Sequence, residues 1–167
     1  MNEIMITKAS LDALLTQLCI EPLFYQHAAL ATCDDADKLD LQREGARIKN
    51  LFLRDNPGRR HFLLLTTPEK QIDLKLLSKQ LAVSRLGFAS AERLYKYLGV
   101  KPGSVSLLAL HNDSECHVEL LIDNDVWLQT AFQCHPLINT ETYVLTKAQS
   151  HLFLQATGHE ARVIDNI

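Results

Sequence analysis

Lys49 is the residue of this chain whose placement most needs a chemical explanation. It opens the apolar run Ile48-Lys49-Asn50-Leu51-Phe52-Leu53, and by strand alternation it shares a face with Leu51 and Leu53, the side expected to point inward. An inward ammonium needs an anion or a polar partner, because an unpaired buried charge is very costly. A cleft position, with the amine aimed at a ligand phosphate or carboxylate, meets that need; so does a side chain that snorkels from the strand end to water. His135 is the second candidate. It stands in Cys134-His135-Pro136-Leu137-Ile138-Asn139-Thr140, after a predicted strand, and an imidazole titrating near neutrality can donate, accept or carry a proton. Among seven histidines it is the first choice because its loop also supplies Asn139 and Thr140, although a histidine before proline is more often a structural hydrogen-bonder. Lys101-Pro102-Gly103-Ser104 is a turn entering a predicted strand. Gly103 permits close backbone approach there, and neighbouring N–H and C=O groups can bind a small polar ligand.

The charge pattern adds a surface to these candidates. The 167 residues carry 17 Lys+Arg against 20 Asp+Glu, a net charge of −3, so there is no global basic field and any nucleic-acid contact must rest on a local patch. One exists: from Arg43 to Arg60 lie Arg43, Arg47, Lys49, Arg54, Arg59 and Arg60 against Glu44 and Asp55, a local charge of +4. Such a segment suits phosphates, and equally a solvated hairpin edge guarded by charge.

Other chemistries lack support. Cys116-His117 and Cys134-His135 are adjacent pairs that point to opposite faces of a strand, which does not suit a tetrahedral zinc site. There is no GxSxG, no phosphate-binding loop of the GxxxxGK[ST] type and no GxGxxG. The four cysteines, without CxxC or clustering, read as free buried thiols. The start Met-Asn-Glu-Ile lacks a signal peptide's basic and apolar regions, and the apolar runs are too short to cross a bilayer, so a cytoplasmic protein is expected. With 47% apolar and 22% charged residues, and roughly 150 residues per domain as the prior, residues 1–167 are expected to form a single domain.

The elements that must position these groups follow from periodicity. Ser10 as N-cap before Leu11, Leu14, Leu15 and Leu18 predicts a helix ended by Pro22. Residues 23–32 read as extended, carrying Tyr25 and His27; Asp34 and Asp35 open a second helix, with Arg43 near its end and Gly45 as its cap. Residues 46–66 read as a hairpin around the Asp55-Asn56-Pro57-Gly58 turn. Asp73 and Ser90 cap two further helices, the second closed by Gly99. Strands are expected over 104–110, 117–122, 128–134 and 142–145, and Thr146 with Gln149 has capping-box spacing for a last helix ending near Gly158. The mixture predicts an α+β domain with a mixed, mostly antiparallel sheet flanked by helices.

Several of these runs resemble one known family. Ala46 to Asp55 with Arg60-His61-Phe62-Leu63 is similar to the lysine-bearing hairpin of the YbaK/prolyl-tRNA synthetase-associated domain. Leu86-Gly87-Phe88-Ala89-Ser90-Ala91-Glu92-Arg93-Leu94, Tyr97 to Ser106, Ala109 to Asp113, and Phe132 to Thr140 resemble its freestanding PrdX (ProXp-ala) branch, and the likeness spans about residues 5 to 157. The resemblance implies a barrel-like version of the sheet and a trans-editing hydrolase. Such an enzyme cleaves the ester of mischarged tRNA, chiefly alanine on tRNA(Pro), and alternatively another small amino acid such as serine, cysteine or threonine. A silent module that binds a small molecule or a synthetase is the non-enzymatic alternative. No metal or nucleotide cofactor is expected. The implied partners are mischarged tRNA(Pro) and, as a docking partner, prolyl-tRNA synthetase, with no DNA and no membrane. By motif position Lys49 and His135 are the implied catalytic residues, and Asn50, Gly103, Ser104, Tyr25, His27 and Asn139 the substrate-binding ones. Arg47, Arg54, Arg59 and Arg60 form the expected tRNA contact. Ala28 stands where the family usually has proline, and Ala31-Thr32-Cys33 departs from its commoner Phe-Thr-Val; both bear on the size of the amino-acid pocket.

Overall fold

The computed structural model of the chain describes residues 7–29 and 44–167. Helix α1 (Lys8–Gln17) is capped by Thr7, whose side chain accepts from the Ser10 amide, so the cap lies one turn before the expected Ser10. Leu11 and Leu15 are buried beneath it, with Leu14 and Leu18 packed at the margin. Strand β1 (Leu23–Gln26) follows. The expected helix from Asp34 to Arg43, and Ala31, Thr32 and Cys33 before it, fall outside the described residues.

The hairpin forms where alternation and the Asn-Pro-Gly turn place it, as β2 (Lys49–Asp55) and β3 (His61–Thr66). Its turn is tied by Asp55, which accepts from the amides of Arg59 at 2.8 Å and Arg60 at 3.1 Å. Helix α2 (Leu74–Gln80) is capped by Asp73, and α3 (Ala91–Leu98) by Ser90, with Gly99 in the left-handed conformation at its end. Between them β4 (Leu86–Phe88), too short to carry a period, adds an edge to β2.

The strand expected over 104–110 is replaced by a 3-10 helix, Leu107–Asn112. Ser106 caps it through its hydroxyl, and Leu107 to Leu110 are all buried, so a continuous apolar run filled a core rather than a sheet. Strand β5 (Val118–Asp123) leads straight into a one-turn helix α4 (Asn124–Trp127). That turn consumes the first residues of the strand expected from Leu128, and β6 begins only at Ala131 and ends at Cys134. Strand β7 (Glu141–Thr146), α5 (Lys147–Thr157) with the expected capping box, and a final β8 (Ala161–Ile164) complete the chain.

The strands form two sheets, β1-β7-β6 and β4-β2-β3-β5-β8. Most pairings are antiparallel, and β3-β5 and β5-β8 are parallel, so the mixed α+β expectation holds. The sheets are not closed into a barrel: they meet at an isolated parallel bridge between Ala46 and Phe132. The larger core lies between them, with α1, α3 and α5 contributing Leu11, Leu98 and Phe153. A smaller core under α2 covers the opposite face of the large sheet, around Leu53, Phe62, Leu64 and Leu77. Burial of about 1.5–3 kcal/mol per large side chain makes these two cores the main stabilising term. Of the cysteines expected to be buried, Cys134 is, whereas Cys19 and Cys116 are exposed free thiols. Among the described residues no helix is long and apolar enough to cross a membrane.

Candidate active site

Lys49 opens β2 opposite Thr66 of β3, on the face it shares with Leu51 and Leu53, as alternation requires. Its ammonium donates to the backbone carbonyl of Lys70, in the loop between β3 and α2. The Lys70 side chain is itself pinned: Nζ lies 2.7 Å from the buried Asp123 carboxylate and 2.6 Å from the exposed Asp125. The Thr66 hydroxyl donates to the same Asp123 oxygen at 2.7 Å, and the Asp125 amide donates to the other at 3.1 Å. Burial alone would push the Asp123 carboxyl up, but the Lys70 ammonium, the Thr66 hydroxyl and the Asp125 amide together hold it below the usual carboxylate range. Burial likewise works against the charge on Lys70, which the two carboxylates outweigh to raise its pKa. This polar cluster sits where the parallel strands β3 and β5 end, the edge of a sheet at which ligand sites tend to form. Asn50 pairs with Leu65 and faces the larger core, so the two neighbours point to opposite sides of the sheet.

His135 is half-buried just beyond β6. Its Nδ1 donates to the Glu141 carbonyl at 3.1 Å, which in the neutral ring leaves Nε2 as the acceptor nitrogen. The Ser106 hydroxyl donates to the His135 carbonyl at 2.6 Å, and so ties the 101–106 turn to the 135–141 loop. In that turn Gly103 has φ +91 and the Ser104 amide closes back on the Lys101 carbonyl. His27 joins the same loop from β1: its amide donates to the Thr140 carbonyl at 3.0 Å, its Nδ1 to the Ala28 carbonyl at 2.7 Å, and its Nε2 lies 2.9 Å from the Thr142 hydroxyl. The His27 and His135 rings meet edge to face with centroids 6.2 Å apart. Asn139 is half-buried in this loop, and the Tyr25 hydroxyl accepts from the Glu44 amide.

Two hollows lie nearby. An open groove of about 620 Å³ is lined by Lys8, Gln26, His27, Ile138, Thr140 and Glu141. An enclosed apolar void between the sheets, touched by Ile48, Phe132 and Cys134, measures about 10 Å³ and is too small for more than a single water. Lys49 lines neither. Along the sequence, Lys49 and His135 each lie three residues beyond the isolated Ala46–Phe132 bridge, in strands or loops of different sheets. The structure thus brings His27, His135, Asn139 and the Gly103-Ser104 turn into one connected group. Lys49 is not brought into that group: its side chain lies on the α2 side of the large sheet, with its amine held by the Lys70 carbonyl.

The basic side chains have unequal surroundings. Arg60 is engaged by Glu119 through two hydrogen bonds of 2.9 and 2.8 Å and lies over the Phe62 ring. Arg54 donates to the Asn56 carbonyl at 3.1 Å. Arg47 is half-buried, and Arg59 is exposed with no side-chain ion pair among the described residues. Periodicity did not point to Lys70, Lys8 or Glu141, whose partners come from distant parts of the chain. Asp123 carried one visible signal, an acid closing the apolar run Val118-Glu119-Leu120-Leu121-Ile122. Among the described residues no group of three or more His, Cys, Asp or Glu side chains is arranged to hold a metal ion.

Comparison with known proteins places this geometry in context. The family model described as "Aminoacyl-tRNA editing domain" matches residues 27–151, a span that contains Lys49, Gly103 and His135. The chain is 32% identical over 158 residues to "Prolyl-tRNA editing protein ProX" of Acetoanaerobium sticklandii, covering 95% of this chain and 96% of that protein. It is 31% identical over 154 residues to "Prolyl-tRNA synthetase associated domain-containing protein 1" of Danio rerio, covering 91% and 83%. In three dimensions it resembles a crystal structure described as that of a candidate trans-editing enzyme for prolyl tRNA synthetase, with a TM-score of 0.69 at 16% identity over 95% and 94% of the two chains.

Proposed function

The chain belongs to the aminoacyl-tRNA editing domain family, and on that premise we propose that it is a trans-editing deacylase that hydrolyses alanine misattached to tRNA(Pro), with residues 1–167 acting as one editing domain in the cytoplasm. The observation that carries this reading is the family match across 27–151 together with 32% identity over 158 residues to a prolyl-tRNA editing protein.

The reaction adds water to the ester carbonyl and breaks the bond to the ribose oxygen, which takes up a proton and leaves as a hydroxyl. An aminoacyl ester is already activated, so position and size selection matter more than a strong nucleophile. A synthetase separates alanine from proline poorly, because each missing methylene is worth only ~1–3 kcal/mol, and a second pocket too small for proline restores accuracy. In this proposal Lys49 donates to the ester carbonyl or to the terminal phosphate. A neutral carbonyl is a partner that an oxygen ligand of the substrate can replace without leaving an unpaired carboxylate behind. The imidazole of His135 and the backbone of the Gly103-Ser104 turn, coupled through Ser106, fix the ester and the water. Tyr25, His27, Asn50 and Asn139 shape the amino-acid side of the site. Arg47, Arg54 and Arg59 meet tRNA phosphates, with Arg60 already engaged by Glu119. Prolyl-tRNA synthetase is the docking partner this reading suggests.

The decisive experiment is a deacylation panel. The protein is expected to release alanine from Ala-tRNA(Pro) over multiple turnovers, faster than serine, cysteine or threonine from their mischarged tRNAs, and to leave Pro-tRNA(Pro) intact. Lys49→Ala should abolish release while preserving the circular dichroism spectrum; full activity in that variant would reject the role given to Lys49.

A further inference from the structure

We propose that Asp123 is a positioning residue for Lys49, acting through Lys70; this rests on the deacylase reading of the site and deepens it. The chain of contacts is short. Asp123 is 1% exposed, and its two carboxylate oxygens receive the Thr66 hydroxyl, the Lys70 ammonium and the Asp125 amide. A carboxylate so saturated cannot turn toward a ligand, and it has no role as a proton carrier while it is held ionised. What it can do is hold Lys70. The backbone carbonyl of that same residue is the acceptor of the Lys49 ammonium, so the residue that Asp123 anchors by its side chain anchors Lys49 by its main chain.

The register explains why these residues meet. Lys49 stands opposite Thr66 in the β2–β3 ladder. In the parallel β3–β5 ladder Leu65 pairs with Ile122, which sets Thr66 and Asp123 side by side at the next position. Three adjacent strand ends thus deliver an amine, a hydroxyl and a carboxylate to one edge of the sheet, on the α2 side. The loop from Thr67 to Asp73 crosses that edge and has a turn at Lys70, whose amide closes on the Thr67 carbonyl. Without an anchor this loop is free to move its carbonyl away from Lys49, and the flexible four-carbon stem of lysine would then sample several directions. A reacting group is useful only when held to within about half an ångström, which is the work of a supporting layer. The exposed Asp125 is a poor substitute for Asp123, because an ion pair in water contributes little.

The test uses two readouts on the full chain. In Asp123→Asn, kcat for Ala-tRNA(Pro) is expected to fall about tenfold with KM within twofold. Competitive acetylation followed by mass spectrometry should show Lys49 labelled several times faster than in the wild type, relative to the other lysines, because its amine has lost a fixed acceptor. If Asp123→Asn does not fold, Lys70→Ala breaks the same link from the loop side and carries the same expectation. Unchanged kcat and unchanged Lys49 labelling in a folded variant overturn the proposal, as does a fall in kcat with labelling unaltered, which is the mark of a merely structural role. Altered labelling in a protein that releases no amino acid from any mischarged tRNA would uphold the link and instead overturn the deacylase reading.

Discussion

At the scale of single residues, burial sets chemistry more firmly than residue type does. Cys134 lies wholly inside the larger core, and burial pushes its thiol up to about 12, so it is an inert apolar side chain at neutral pH. Alkylation with iodoacetamide in the native state should therefore modify Cys19 and Cys116 and spare Cys134, as read by peptide mass spectrometry; rapid labelling of Cys134 would contradict the packing. Asp113 is the acidic counterpart. It is buried against His159 at 2.9 Å and also accepts from the amides of His117 and Val118. Burial alone would raise its carboxyl, but His159 and the two amides bring it below its ordinary value of 3.8. A group whose pKa is lower in the folded state stabilises above the unfolded value and loses that contribution as pH falls through the folded one. The melting temperature should accordingly drop below about pH 4. Asp113→Asn, which removes the buried carboxylate to which His159 and two amides hydrogen-bond, should cost about 1–3 kcal/mol at neutral pH and flatten that acid limb.

At the scale of elements, the caps behave as local chemistry demands, and their consequences reach other elements. Gly99 ends α3 with φ +66, and a Cβ placed there would lie 2.5 Å from Asn112 Nδ2. That nitrogen donates to the Leu98 carbonyl at 2.7 Å and so joins the 3-10 helix to the end of α3. Gly99→Ala therefore combines a left-handed backbone penalty with the loss of one hydrogen bond, and should cost about 2 kcal/mol in urea unfolding. An unchanged midpoint would show that Asn112 yields freely. Helices α2, α3 and α5 were legible because Asp73, Ser90 and Thr146 each precede an apolar period, and a cap acts within one turn of chain. The first helix shows the limit of the same rule: Thr7 and Ser10 both suit a cap, and the helix begins at the earlier one. The 3-10 helix after Ser106 stands where a strand is expected for a related reason: a short, wholly apolar run has no period that separates the two.

At the scale of the whole molecule, the basic hairpin is reduced to fewer available charges than its composition suggests. Arg60 is committed to Glu119, whereas Arg59 is exposed with no ion pair among the described residues. If the hairpin meets tRNA, Arg59→Ala should weaken binding and lower the slope of log affinity against log salt by about one. Arg60→Ala should change the slope less; the reverse order would mean that the Glu119 pair opens on binding. The amino-acid sequence by itself determined the hairpin, the helix caps, the inward face of Lys49 and the family, because each depends on neighbours along the chain or on motifs read in order. Only the tertiary structure decided that Asp123, Thr66 and Lys70 gather beside that lysine, that His27 and His135 share one loop system, and that Arg60 is already paired. These contacts join residues dozens of positions apart, and the strand register that brings them together is fixed by how two sheets bury their apolar faces, a condition no local stretch of sequence contains.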